Sequence, residues 1–350
     1  MLNMLENLSE IGSEFWFEDI TSEVVVNNDN GCYVLSGRTA IDVILQDIQK
    51  ERKVQDVYLP AYCCDSMLQP FMDRGIKIHL YDMWLGDKLE YDVDENKHVD
   101  ILYICNYFGY ENNVSNEIIE RFREFGAIII YDKTHSMFMD NDLTVLFADY
   151  SFASIRKWMG VVAGAVIWKR NGFISSPLKD CLYLQCKIEA MQEKRMYLSG
   201  NAEINKQVFL DKYAAFGHSL SVDYRDYRMD KLSCAIWEQS DKERIKQKRK
   251  KNAIALHSNR NVQYLNDLSA NSCPIFVPVF FESSEVRNRV RKSLIDSQVY
   301  CPIHWPKNKL ITTDMKVNDI FDRELSLICD QRYNPNHMDR INEIIKSFFK

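Results

Sequence analysis

Nowhere in its 350 residues does the chain carry an uncharged apolar run of about twenty, the length needed to cross a bilayer. It opens MLNMLENLSE, without the basic head and apolar stretch of a secretory leader, so a cytosolic protein with reduced thiols is expected. The ten cysteines are scattered through apolar segments: Cys63 adjoins Cys64, Cys181 and Cys186 stand close, and no histidine pair accompanies them. Neither a zinc site nor a disulfide framework follows from that spacing, and no metal is expected. Positive charge is also short. A net charge of -6 and a pI near 5.7 argue against nucleic acid or an anionic membrane as partner, because both recruit proteins through a positive field. A GxGxxG turn after a strand is missing, which argues against a nicotinamide-binding enzyme.

What is present is a core. At 46% hydrophobic and 12% aromatic residues the chain is globular, and its length exceeds what one core usually fills, so two packed domains are expected. Residues 1–30 read as an N-terminal arm with room for one helix, 31–240 as a large domain and 241–350 as a smaller one. Ala40, Ile41, Val43, Ile44, Leu45 and Ile48 recur at helical spacing behind Ser36-Gly37-Arg38-Thr39. Strands over Val57 to Leu59, Ile76 to Tyr81, Ile101 to Cys105 and Ala127 to Tyr131 alternate with helices over Ser66 to Arg74 and Asn116 to Phe125. Such alternation demands crossover connections, hence an α/β fold with a mainly parallel sheet. The acidic stretch Asp82 to Asp100 reads as a surface connection. After Trp168 the pattern turns helical and irregular. The basic run Asp241 to Asn252 sits on a sparse apolar stripe and reads as a solvated helix face leading into the second domain. Pro274 to Phe281 reads as a strand, with helices over Ser283 to Asp296 and Ile341 to Phe349.

One stretch carries candidate chemistry. The apolar strand Ala127 to Tyr131 stops at Asp132, and in open α/β sheets ligands bind at the carboxyl ends of strands. His135 follows three residues later. Lys157 comes after Ser151, Ser154 and Arg156, before a glycine-containing turn into the apolar strand Ala165 to Trp168. A lysine among apolar residues and beside a cation has its charged form disfavoured, so its amine can attack a carbonyl and form a Schiff base. If that carbonyl belongs to pyridoxal phosphate, Asp132 would keep the ring nitrogen protonated and make the ring an electron sink. His135 would pack on the ring or bond the acid, and Ser151 or Ser154 would hold the phosphate. The N-terminus at Gly37, Arg38 and Thr39 offers free backbone N–H groups, an approach over glycine and the Thr39 hydroxyl to the same phosphate.

In chain order, SGRTAI (from Ser36), LPAYCCDSM (from Leu59), NYFGY (from Asn106), YDKTHSMF (from Tyr131), SFASIRKWMGVVAGAV (from Ser151), CPIHWP (from Cys301) and LSLICDQRY (from Leu325) resemble the DegT/DnrJ/EryC1/StrS family of pyridoxal-phosphate-dependent aminotransferases. The resemblance runs from about Gly31 to the C-terminus. It implies the fold type I architecture: a large mainly parallel-sheet domain and a smaller C-terminal α/β domain. It also implies that Gly37, Arg38 and Thr39 cradle the cofactor phosphate, that Tyr62 packs on the pyridine ring, and that Lys157 is the Schiff-base lysine, working with Asp132 and His135. Relatives move an amino group from an amino acid, commonly glutamate, to a nucleotide-linked keto sugar, often for surface polysaccharide, and form their site between two subunits of a homodimer. A lyase, a dehydratase or a racemase would use the same Lys157 and Asp132, and against a catalytically silent regulatory relative stands the intact set of Asp132, His135 and Lys157. Two departures stand out. Where relatives carry Asn-Tyr-Arg-Met, with an asparagine reaching a neighbouring subunit's phosphate, this chain has Asp226-Tyr227-Arg228-Met229, and an aspartate repels phosphate. The serines stand three and six residues before Lys157, which is not the commoner spacing.

Overall fold

The computed structural model describes residues 10–17, 31–111, 114–174, 178–265 and 268–349. Of the expected arm, the described part is 10–17, with a two-residue strand, β1 (Ile11–Gly12); the remainder of that reading lies outside the described residues. Strand β2 (Cys32–Val34) leads into helix α1 (Gly37–Gln49), which Ser36 caps by accepting the Thr39 N–H. All six apolar residues that set its helical period are buried. The chain then alternates: β3 (Asp56–Pro60), α2 (Asp65–Met72), β4 (Lys77–Leu85), β5 (Leu89–Asp92), β6 (Ile101–Cys105), α3 (Asn116–Glu124), β7 (Ile128–Asp132), β8 (Tyr150–Ser154) and β9 (Ala165–Lys169).

These strands form one sheet in the order β2-β9-β8-β7-β6-β3-β4-β5. Strands β4, β3, β6, β7 and β8 run parallel, so the crossovers expected from the alternation are present, and the apolar runs of β3, β6, β7 and β8 are covered on both faces while β4 is only partly buried. Strands β9 and β5 are antiparallel to their neighbours β8 and β4. The acidic stretch after Tyr81 is therefore not a plain connection. Its first half turns back as β5, and its aromatic residues Trp84 and Tyr91 fit an edge hairpin, where one face needs no burial.

After the sheet come two helices, α4 (Gln185–Leu198) and α5 (Lys206–Val222), packed on each other, then α6 (Lys231–Gln239) and α7 (Lys242–Leu256). Helix α7 is the basic run, and it is not wholly a solvated face. Arg249 and Asn252 are buried: the Arg249 guanidinium donates to the Gln331 side chain and to the carbonyls of Ile275 and Trp158. The C-terminal third contributes β10 (Gln263–Tyr264), β11 (Val277–Phe280), α8 (Ser284–Asp296), β12 (Val299–Tyr300), α9 (Asn318–Arg323), β13 (Glu324–Leu327) and α10 (Pro335–Phe348). Strands β10, β11 and β13 make a small antiparallel sheet, and β12 pairs in parallel with β1. None of the ten cysteines is joined to another. Among the described residues no helix is long and apolar enough to cross a membrane.

Candidate active site

Because β3, β6, β7 and β8 are parallel, their carboxyl ends share one edge of the sheet. A cavity of about 210 Å³ opens there. Asp132 and His135 enter it from the end of β7, Ser154, Arg156 and Lys157 from the end of β8, and Cys105 from the end of β6. Two helix N-termini point the same way: α1 brings Ser36, Gly37 and Arg38, and α2 brings Cys64 and Ser66. Gly217 and Leu220 of α5 line one side, and Trp305 from the C-terminal third covers the cavity near His135.

Asp132 is fixed before any ligand arrives. One carboxylate oxygen accepts the Tyr103 hydroxyl and the other the Thr134 N–H, each at 2.8 Å. Burial pushes its carboxyl above the usual range, and those two donors and Lys157 only partly offset the effect. His135 is held at its Nδ1, which accepts the Phe108 N–H at 3.2 Å, so its proton sits on Nε2. Burial, then the charges of Lys157 and His304, holds this imidazole well below its ordinary range, and it is neutral. The ring lies flat against Trp305, at 5.6 Å between centroids and 28° between planes. The Lys157 ammonium stands 5.7 Å from the same indole. Trp158, next along the turn, donates its indole N–H to the Thr134 carbonyl and so ties the Lys157 turn to the Asp132 turn.

Of the residues singled out in the sequence, Gly37, Arg38, Asp132, His135, Ser154 and Lys157 meet in this cavity. Three do not line it. Ser151 lies on the other face of β8, beside Val145, Leu146 and Trp168, since alternate residues of a strand face opposite ways and Phe152 and Ser154 take the cavity side. Thr39 is buried beneath the helix start, where its hydroxyl donates to the Tyr224 carbonyl at 2.8 Å. Tyr62 is fully buried and backs Trp305 at 5.1 Å rather than facing the cavity. Asp226 is held away from the site, accepting the Gln46 side-chain N–H at 2.6 Å. Sequence reasoning missed Thr134, Trp305 and Ser36 as lining residues. All three lie inside quoted motifs, but nothing in composition or spacing tells which motif residue faces a cavity.

No family model matches the chain, and no curated protein matches it by sequence. Its structure is similar to solved ones. A Helicobacter pylori aminotransferase of pseudoaminic acid biosynthesis, PseC, aligns with TM-score 0.66 at 11% identity, covering 91% of this chain and 86% of that one. A DegT DnrJ EryC1 StrS aminotransferase from Brucella abortus aligns with TM-score 0.59 at 14% identity, over 91% and 85%. The chain has the aminotransferase fold. An E. coli GDP-4-keto-6-deoxy-D-mannose-3-dehydratase with bound hydrated pyridoxal phosphate aligns with TM-score 0.63 at 15% identity, over 90% and 87%, so the same fold houses an elimination enzyme as well. In this chain the aminotransferase fold presents a set of groups that fits the cofactor. Asp132 is a buried carboxyl raised by burial and lacks a full positive partner. The Nε of Arg38 and of Arg156 are buried without a hydrogen-bond acceptor.

Proposed function

We propose that the chain is a pyridoxal-phosphate-dependent aminotransferase that moves an amino group from an amino acid, with glutamate as donor, to a keto sugar, nucleotide-linked in the first candidates to screen. The observation that carries this reading is the meeting of Lys157 and Asp132 in one cavity, at the carboxyl edge of a parallel sheet, beside the N-terminus of α1. When bound, the cofactor supplies an electron sink. Lys157 is the amine that would take up its aldehyde and, once released, the base that would move a proton at the substrate carbon. Asp132, already oriented by Tyr103 and Thr134, would hold the proton on the ring nitrogen. Gly37, Arg38 and Ser154 would hold the phosphate, and His135 offers an uncharged N–H at Nε2. Trp305, stacked on His135, would shield that side of the bound cofactor from water. A homodimer working in the cytosol, in the synthesis of cell-surface sugars, belongs to the same proposal, and size-exclusion chromatography tests the dimer.

The deciding experiment is an absorption spectrum of the purified protein with added pyridoxal phosphate, before and after glutamate. Visible absorption that glutamate converts supports the aminotransferase reading. The second reading, an elimination such as that of the E. coli dehydratase, is favoured by that enzyme's shared fold. It predicts absorption that no amino acid converts but that a keto sugar perturbs. A silent regulatory relative would show absorption unmoved by either. No absorption at all would refute the cofactor assignment.

A further inference from the structure

We infer that Glu324, Ser326 and His304 form a proton relay that decides whether His304 offers the cavity a hydrogen-bond donor or an acceptor at Nε2. In the donor state His304 positions a carbonyl or hydroxyl oxygen of the substrate. That this oxygen belongs to a sugar rests on the function proposed above; the relay itself does not.

The relay follows from the directions of three hydrogen bonds. Glu324 and Ser326 stand two residues apart on β13, so their side chains share a face. Oε2 of Glu324 accepts the His304 backbone N–H at 2.8 Å, Oε1 lies 2.5 Å from the Ser326 hydroxyl, and that hydroxyl lies 2.8 Å from Nδ1 of His304. A hydroxyl has one proton to give. When Glu324 is protonated, its proton sits on Oε1, because Oε2 already faces a donor. Ser326 then turns its own proton to Nδ1, and the imidazole carries its proton on Nε2. When Glu324 is ionised, Ser326 donates to it, Nδ1–H donates to Ser326, and Nε2 is bare. His304 has one ring proton in both states, since burial and then the Lys157 charge hold its imidazole down at about 3. The states differ by one proton: that of Glu324 passes to the Ser326 oxygen, that of Ser326 to Nδ1, and that of Nε2 leaves to water.

The far end of the relay lies beside the site. With Nδ1 committed to Ser326, Nε2 has no partner among the described residues, and His304 keeps 9% of its surface accessible where Glu324 keeps none. A histidine that only fills a core has both nitrogens bonded. The His304 ring instead stands upright against two rings that line the cavity, at 80° and 5.9 Å to His135 and at 89° and 5.5 Å to Trp305.

Glu324 is the member of the relay that titrates near neutral pH, with burial pushing it up to about 8. Facing it, Arg287 of α8 stays charged and donates to the Glu324 and Phe321 carbonyls, with Asp322 of α9 and Arg291 as its charged neighbours. The Tyr62 hydroxyl and the Cys301 thiol are raised by burial and stay neutral. On the cavity side His135 is neutral, and Lys157 supplies the positive charge. Nε2 of His304 is therefore a donor below about pH 8 and an acceptor above it.

The test uses the full chain without cofactor, so its outcome is independent of the reaction. Histidine labelled with nitrogen-15 reports by NMR which ring nitrogen carries the proton, and His304→Asn assigns the signals by their loss. Between about pH 6.5 and about pH 9.5, the Nδ1 and Nε2 signals of His304 should exchange their protonated and bare positions. In Glu324→Gln the side-chain oxygen still accepts the His304 backbone N–H and the amide N–H still faces Ser326, so the signals should keep the low-pH arrangement throughout. Diethyl pyrocarbonate, which acylates a bare ring nitrogen, reports access. Peptide mass mapping should find His304 modified at the higher pH and spared at the lower, where the bare Nδ1 is covered by Ser326, and spared at both in Glu324→Gln. Wild-type signals that do not exchange, or a Gln variant that exchanges as wild type does, would overturn the relay. Exchange without modification at the higher pH would overturn the role toward the cavity. Should Glu324→Gln not fold, Ser326→Ala cuts the relay at its centre, and exchange that persists there with an unchanged midpoint refutes it.

Discussion

Glu324 lies behind the cavity rather than in it. It is fully buried, accepting the His304 N–H at 2.8 Å and the Ser326 hydroxyl, while Ser326 also meets Nδ1 of His304 at 2.8 Å. Burial pushes this carboxyl up from 4.5 to about 8. The folded state therefore keeps a proton that the unfolded chain releases. The stability this group contributes is full below pH 4.5 and is lost as the pH rises to about 8, at about 1.4 kcal/mol per pH unit. Glu324→Gln should remove that slope. Urea denaturation of both proteins at about pH 5 and pH 8 checks it, because the difference between them cancels every other titrating group; parallel slopes would refute the assignment. Lys157→Ala should leave the fold intact and eliminate the mass that borohydride otherwise fixes at position 157 when pyridoxal phosphate is present. Label found on another lysine would sink the role given to Lys157. At this scale the legible residues are those whose type contradicts their surroundings: an acid ending an apolar strand at Asp132, and a lysine in an apolar turn. Ser151 and Ser154 were indistinguishable in the sequence because strand parity depends on where β8 begins. Thr39 looked available because a helix start does not reveal which hydroxyl is turned inward.

Among the elements, α5 shows what a pattern conceals. Phe209, Tyr213, Phe216 and Leu220 are buried on one face, but Val208 and Val222 are exposed on another, so the apolar period is blurred and the helix read as irregular. The α1 period was legible because its six apolar residues all serve one face of the sheet. Gly217 sits inside α5 with nothing within 4 Å of where a Cβ would stand, and it borders the cavity. Gly217→Ala should raise stability by about 0.5–1 kcal/mol, measured by denaturant unfolding. Gly217→Trp should instead narrow the cavity and slow uptake of pyridoxal phosphate, followed by absorbance; undiminished uptake would show that the entrance lies elsewhere. Gly109, in the loop after β6, is the opposite case. Its φ is +80°, and a Cβ would lie 2.2 Å from the Cys273 carbonyl oxygen. Gly109→Ala should lower the melting temperature sharply, because both backbones must shift, at a cost of at least about 1–3 kcal/mol.

For the molecule as a whole, Arg249 joins parts distant in sequence: α7, the turn holding Lys157 through the Trp158 carbonyl, and the C-terminal third through Ile275 and Gln331. Its guanidinium also lies 4.6 Å from the Trp158 ring. The basic run that contains it looked like surface because charge count predicts solvation, and only the packing of three segments distinguishes the one buried arginine. Arg249→Met should take one donor each from the Gln331 side chain and the Ile275 and Trp158 carbonyls, the last of which keeps the Gln331 N–H at 2.7 Å, and cost about 1–3 kcal/mol by equilibrium unfolding. A smaller loss would mean that water replaces the guanidinium. The residues of β1 make the widest connection. The Gly12 N–H donates to the Tyr333 hydroxyl across 321 positions, Ile11 and Gly12 pair with β12, and Arg332 lies over Phe15 and Trp16. A ribosome finishes residues 10–17 long before it makes any of these partners, so this apolar segment must wait on the nascent chain with its own surface uncovered. Its docking is then among the last events of synthesis, and any change that lengthens the wait, a slower ribosome or a missing C-terminus, leaves Phe15 and Trp16 to chaperones rather than to the fold.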